Sequence, residues 1–166
     1  MSALHSFPLR RRARLLAGCA LAAAIATPGH AQQAFKANPT TVAGSANVSQ
    51  GQAIPGGLRD TVLVNSQQAV INWAPTDTGV GGGAISILPQ GNELVFTADP
   101  AQVSGAYTVL NRIIPNDPSR PAQFDGRVIG QFIGSNGAEA GAHVWFYSPG
   151  GIIAGATSRF DVGSLV

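Results

Sequence analysis

Cysteine is almost absent from this chain of 166 residues: the only one is Cys19. It lies within the first thirty residues, so the rest of the chain can form neither a disulfide nor a thiolate metal site, and its fold must rest on apolar burial and backbone pairing. Charged side chains are sparse as well, at 11 % of residues, and no run of Lys or Arg occurs after Arg14. Nucleic-acid binding needs a clustered basic face, so no nucleic-acid partner is expected. Helical periodicity is missing too: beyond the opening segment no uninterrupted apolar pattern of helical period reaches ~10 residues. Of the three histidines, His5 and His30 belong to the opening segment and only His143 lies beyond it. A lone histidine in the apolar stretch His143–Phe146 reads as a structural residue, because a triad or metal cluster needs partners converging on it.

What the opening segment does have is a tripartite layout. Arg10, Arg11, Arg12 and Arg14 precede an apolar run from Leu15 to Ala26, and a breaker stretch leads to small residues at Gly29 and Ala31. This is the pattern of a secretory signal peptide over residues 1–31, with cleavage expected between Ala31 and Gln32. The apolar run is shorter than the ~20 residues of a bilayer-spanning helix. Leu16-Ala17-Gly18-Cys19 has the form of a lipobox, but Arg14 leaves almost no apolar run ahead of the cysteine. Arg11-Arg12 could also serve twin-arginine export, a receptor-read address; Arg14 again sits where that signal wants apolar residues, which favours general secretion. Removing the leader takes four of the ten cations, so six face eight acids and the mature chain is mildly acidic. The expected location is the periplasm in transit, then the cell surface or the medium.

From Gln32 to Ile54 the chain is small and polar and reads as a loosely ordered lead-in or cap with one edge strand. Beyond it come short β-branched segments between turn residues. Candidate strands are Asp60–Asn65, Gln68–Trp73, Ala84–Leu88, Glu93–Thr97, Tyr107–Ile114, Arg127–Ile133, His143–Tyr147, Gly151–Ala154 and Arg159–Val166, several of them alternating with period two. Asn116–Pro118, Ser135–Gly137 and Ser148–Gly151 supply the turn chemistry between them. The predicted class is all-β. Apolar centres near Ile129, Val144 and Phe160 recur about every fifteen residues, which suits stacked coils burying a shared core; a sandwich of short strands gives a similar spacing.

Four segments then carry a resemblance: Ala69-Val70-Ile71-Asn72-Trp73, Val109-Leu110-Asn111-Arg112-Ile113, Tyr147-Ser148-Pro149-Gly150-Gly151-Ile152-Ile153-Ala154-Gly155 and Phe160-Asp161-Val162-Gly163-Ser164-Leu165-Val166. In this order they resemble the filamentous-haemagglutinin N-terminal domain, the secretion module of two-partner secretion exoproteins, roughly from Thr41 to Val166, with the secretion domain proper at residues 55–166. The resemblance implies a right-handed parallel β-helix (solenoid) with capping and extra antiparallel strands. It implies recognition by the periplasmic domains of an outer-membrane two-partner transporter, and then nucleation of β-helix folding at the cell surface. It also implies a downstream adhesin-like passenger that could engage a host or neighbouring-cell surface, and it makes this chain the start of a longer exoprotein, because Phe160–Val166 would otherwise end with nothing stacked beyond it. Asn72, Trp73, Asn111, Arg112, Pro149, Gly150, Gly151 and Ile152 are the recognition and fold residues it marks. Where the family usually carries an Asn-Pro-Asn-Gly turn, this chain has Ser148-Pro149-Gly150-Gly151, which keeps the conformational freedom and lacks the asparagine hydrogen bonds.

No enzymatic activity, cofactor or metal is expected. Asp125 and Asp161 could be imagined as an acid–base pair for glycan hydrolysis, the alternative being a β-helical carbohydrate-binding or carbohydrate-active domain. Such a pair needs a defined separation, and the two read as turn or surface residues. Gly79-Val80-Gly81-Gly82-Gly83 lacks the Lys-Ser/Thr and the helix of a phosphate loop and reads as a hairpin tip. Trp73 and Trp145 read as core or capping aromatics. Asn72 and Asn111 are expected to bond neighbouring backbone within a coil.

Overall fold

The computed structural model describes residues 32–134 and 137–166. The predicted leader over residues 1–31, with Cys19, the arginine cluster and Ala31 of the cleavage site, lies outside these residues, and Gln32 is the first described. Among them there are strands, turns and bends and no helix, as the missing helical periodicity predicts.

The strands form three sheets. Sheet one runs in the order β1 (Ala37–Ala43), β4 (Gln68–Pro75), β7 (Thr108–Ile113), β11 (His143–Tyr147) and β14 (Ser164–Leu165). Sheet two runs β10 (Gly137–Ala140), β9 (Arg127–Gly134), β6 (Glu93–Ala98), β3 (Gly57–Val64) and β2 (Ala46–Ile54), with β13 (Arg159–Asp161) also on β9. Sheet three is β12 (Ile152–Ala154), β8 (Ala122–Phe124) and β5 (Ile85–Leu88). Three pairs are antiparallel, β1 with β4, β2 with β3 and β9 with β10; every other pair is parallel.

The parallel pairs repeat with a fixed order. Chain segments β3-β4-β5, β6-β7-β8 and β9-β11-β12 each visit sheets two, one and three in turn. In sheet two Arg59 stands beside Glu93, Glu93 beside Arg127 and Arg127 beside Arg159, steps of 34, 34 and 32 residues. The fifteen-residue recurrence of apolar centres was therefore an interval between sheets: Phe160 of β13 stands on β9 beside Val128, while Val144 belongs to sheet one.

The inner faces meet in one core. Val62, Leu94 and Phe96 come from sheet two, Ile71, Trp73, Val109 and Val144 from sheet one, and Ile85, Ile87 and Phe124 from sheet three. Phe35 joins it, fully buried, with ring centroids 4.7 Å from Trp73, 5.9 Å from Phe124 and 6.5 Å from Phe146. The segment from Gln32 to Ile54 is thus more ordered than its composition suggests. Buried Asp60 accepts hydrogen bonds from the amides of Ala34 (3.0 Å), Phe35 (2.9 Å) and Gly51 (2.7 Å), and from Gln50 Nε2 (3.2 Å). That carboxylate fixes the lead-in against sheet two, and β1 and β2 then pair with β4 and β3 through their backbones.

Three further expectations are corrected. The Arg159–Val166 strand is broken in two, β13 and β14, because Gly163 carries the chain from sheet two to sheet one; there a Cβ would lie 2.8 Å from the backbone of Gly141. The glycines at 79–83 link β4 of sheet one to β5 of sheet three, so they form a corner and not a hairpin tip. Trp145 is 39 % exposed on the outer side of β11 and belongs to no core, since its neighbours Val144 and Phe146 take the inner positions.

Candidate functional site

Alternation along β4, β7 and β11 sorts the marked residues onto two sides of sheet one. Trp73 and Asn111 face inward and are fully buried. The indole Nε1 of Trp73 donates to Asn111 Oδ1 at 2.9 Å, and Asn111 Nδ2 donates to the carbonyl of Trp145 at 3.2 Å. One amide side chain therefore ties three successive strands of the sheet. This satisfies a buried indole that would otherwise lose its partner in an apolar surrounding.

Asn72 and Arg112 face outward and stand directly beside one another across β4 and β7. Thr40 of β1 pairs with Asn72 on one side, and Tyr147 of β11 with Arg112 on the other. A second outward row consists of Val70, Leu110 and Trp145. The Oδ1 of Asn72 is buried without a hydrogen bond among the described residues.

Pro149, Gly150, Gly151 and Ile152 lie just past Tyr147, at the corner between sheets one and three. Gly151 has φ 86° and its amide donates to the carbonyl of Ser148 at 3.0 Å. Gly150 is constrained by space: a Cβ there would lie 2.3 Å from the carbonyl oxygen of Arg120. Ile152 begins β12 and pairs with Ala122. The turn is thus a corner of the fold that follows Tyr147 of the outward row.

His143, on β11, has its Nδ1 2.9 Å from Ser164 Oγ, a link between β11 and β14. Among the described residues no group of three or more His, Asp or Glu converges as a metal site. Asp161 receives Arg127 Nε at 2.7 Å and Arg159 Nε at 3.0 Å, and these guanidinium partners lower its pKa. It belongs to a charge ladder that continues through Glu93 to Arg59 (2.6 Å) along the outer side of sheet two. The geometry gives Asp161 two guanidinium partners, an ion-pair role on the surface of sheet two. Asp125 accepts from Gln123 Nε2 at 2.8 Å, a local turn contact.

Composition and spacing did not single out Arg120. Its side chain is 8 % exposed and reaches the glycine corner, pairing with Asp77 through two nitrogens (3.0 and 2.8 Å) and donating to the carbonyls of Gly83 and Gly79 at 3.0 Å. Asp77 is held down to about 2, first by the hydrogen bond from Arg120 and then by the Gly79 amide. Asp117 is likewise at about 2, first through Ser119 and then through the Gly81 amide. Only the pairing of a corner with a residue some forty positions later gives this clamp away.

Comparison with known proteins finds no matching family model, no matching curated protein and no matching solved structure.

Proposed function

We propose that this chain is the N-terminal secretion module of a two-partner secretion exoprotein, recognised by an outer-membrane transporter, and that its successive passes through the three sheets are the first coils of a right-handed parallel β-helix. The observation that supports this best is the order of the parallel pairing. Each pass of the chain through sheets two, one and three lays its strands beside those of the previous pass, as coils stacked on a shared core do. The antiparallel strands β1 and β2 cover the first pass from the N-terminal side, in keeping with a capped β-helix. At the other end β12, β13 and β14 are edges, and Phe124, Phe146, Ile152, Phe160, Leu165 and Val166 border an apolar cavity of about 230 Å³ between them. A further coil seated there would cover apolar surface and unpaired backbone together, which is how a module of this kind starts the folding of a passenger.

The test is export. The gene is expressed with and without the two-partner transporter encoded beside its own reading frame, and the chain is followed into the medium. Secretion that requires the transporter, with a mature N-terminus at Gln32, is the expected result. Secretion unchanged when the transporter is deleted, or a reading frame with no such neighbour, overturns the proposal.

A further inference from the structure

Parallel sheets are usually covered on both faces, whereas the outward face of sheet one leaves Arg112, Trp145 and Tyr147 exposed and Val70, Asn72 and Leu110 half-buried. The side chains of that face sort into chemically distinct rows, since residues abreast on parallel strands lie ~4.8 Å apart and outward residues along one strand ~6.6 Å apart. Val70, Leu110 and Trp145 make an apolar row that ends in an indole. Beside it, Thr40, Asn72, Arg112 and Tyr147 make a row of hydrogen-bonding side chains that ends in a phenol, 55 % exposed.

The charge on this face is of one sign. The five strands of sheet one contain no Asp or Glu. Every other arginine after the leader is paired: Arg59 with Glu93, Arg120 with Asp77, and Arg127 and Arg159 with Asp161. Arg112 is exposed and, among the described residues, has no ion pair. In a mature chain with more acids than cations, an unpaired guanidinium beside two exposed aromatics, on a sheet free of acids, is a complementary surface for carboxylates.

We propose that the outward face of sheet one binds an acidic polysaccharide, with Trp145 and Tyr147 stacking on sugar rings and Arg112 pairing with a sugar carboxylate. An extended peptide is a poorer fit. Peptides that dock on sheets gain their affinity from main-chain hydrogen bonds at an edge, and the middle of a sheet has already committed those groups to its own ladder. A pyranose chain carries its apolar and hydroxyl surfaces on its own rings and needs only side chains. The planar guanidinium supplies two parallel donors to a carboxylate, and the rings supply apolar area with few rotatable bonds. This inference does not depend on the secretion reading.

The purified full chain is run in native gels containing polygalacturonate, the neutral polymer dextran, or poly-glutamate, which has the carboxylates without the rings. Polygalacturonate should retard it; dextran should not, and poly-glutamate should bind at least about tenfold more weakly. The two tryptophans make a built-in reporter, because Trp73 is buried and Trp145 is exposed: polygalacturonate should shift the emission of the native chain and not that of Trp145→Ala. Trp145→Ala and Arg112→Gln should each weaken binding about tenfold or more, the range of anchoring aromatic and arginine side chains. Arg159→Gln, on the charge ladder of sheet two, should bind as the native chain does. Should Trp145→Ala fail to fold, Tyr147→Ala, at a side chain more than half exposed, takes its place. Absence of retardation, equal binding of poly-glutamate, or an equal loss in Arg159→Gln overturns the proposal; equal binding of poly-glutamate would point to an acidic protein surface as the partner.

Discussion

Two glycines side by side at the corner after β11 are constrained by different physics, and single substitutions should tell them apart. At Gly151 the backbone is left-handed, so Gly151→Ala should cost about 1–2 kcal/mol through conformation alone, since open space surrounds a Cβ there. At Gly150 the Cβ would meet the main chain of Arg120–Pro121, which cannot swing away like a side chain, so Gly150→Ala should be the more destabilising of the two in urea unfolding. Asn111→Leu should cost about 1–3 kcal/mol, the usual loss when a buried donor is left without its acceptor, here the Trp73 indole. Under the proposed function His143→Gln, by contrast, should leave export largely intact, because its ring nitrogen joins β11 to β14 and no reaction is assigned to it. Positive φ within Ser148–Gly151 was legible from two adjacent glycines; the second constraint was not, because Arg120 lies thirty residues upstream. Likewise, alternation along one strand separates Asn72 from Trp73, while the Trp73–Asn111 hydrogen bond spans 38 residues and could be found only from register.

Among the elements, β4, β7 and β11 were readable because each buries one side and leaves the other open, which writes period two into the sequence. The strands β1, β2, β8 and β10 escaped it. They are short or built of Ala, Asn, Gly, Gln and Thr, and neighbouring backbones recruit them. The glycine corner between β4 and β5 has a fastening of its own in Asp77 and Arg120, and this gives it a pH dependence of known sign. The folded pKa values of Asp77 and Asp117 are about 2, below the ordinary carboxylate value of 3.8. Their contribution is therefore fully present above the ordinary value and is lost as pH falls through the lower one. Proteolysis of residues 76–84 should accelerate between about pH 4 and pH 2 with an acid-active protease, relative to an unstructured substrate. With a protease active at neutral pH, Arg120→Ala should already show faster cleavage of this segment than the native chain. Both carboxylates are exposed enough that global stability should change far less than this local opening.

Taken as one body, the molecule depends on residues that are distant in sequence, and Phe35 is the extreme case. Phe35→Ala should cost about 3–5 kcal/mol by transfer and cavity formation, measured by chemical unfolding, because the fully buried ring packs against aromatic rings of sheets one and three. Circular dichroism of residues 32–166 should show strand without appreciable helix, and refolding should be slow, in the millisecond-to-second range of topologies dominated by remote pairing. The same ring sets an order in time. A chain that is made, or threaded through a pore, from its amino end presents Phe35 early, but two of its partners, Phe124 and Phe146, arrive about a hundred residues later. Pairing with β3 and β4 is available early, but the Phe35 ring lacks part of its packing until β8 and β11 are delivered, and any factor that acts on the amino end has that interval in which to do so.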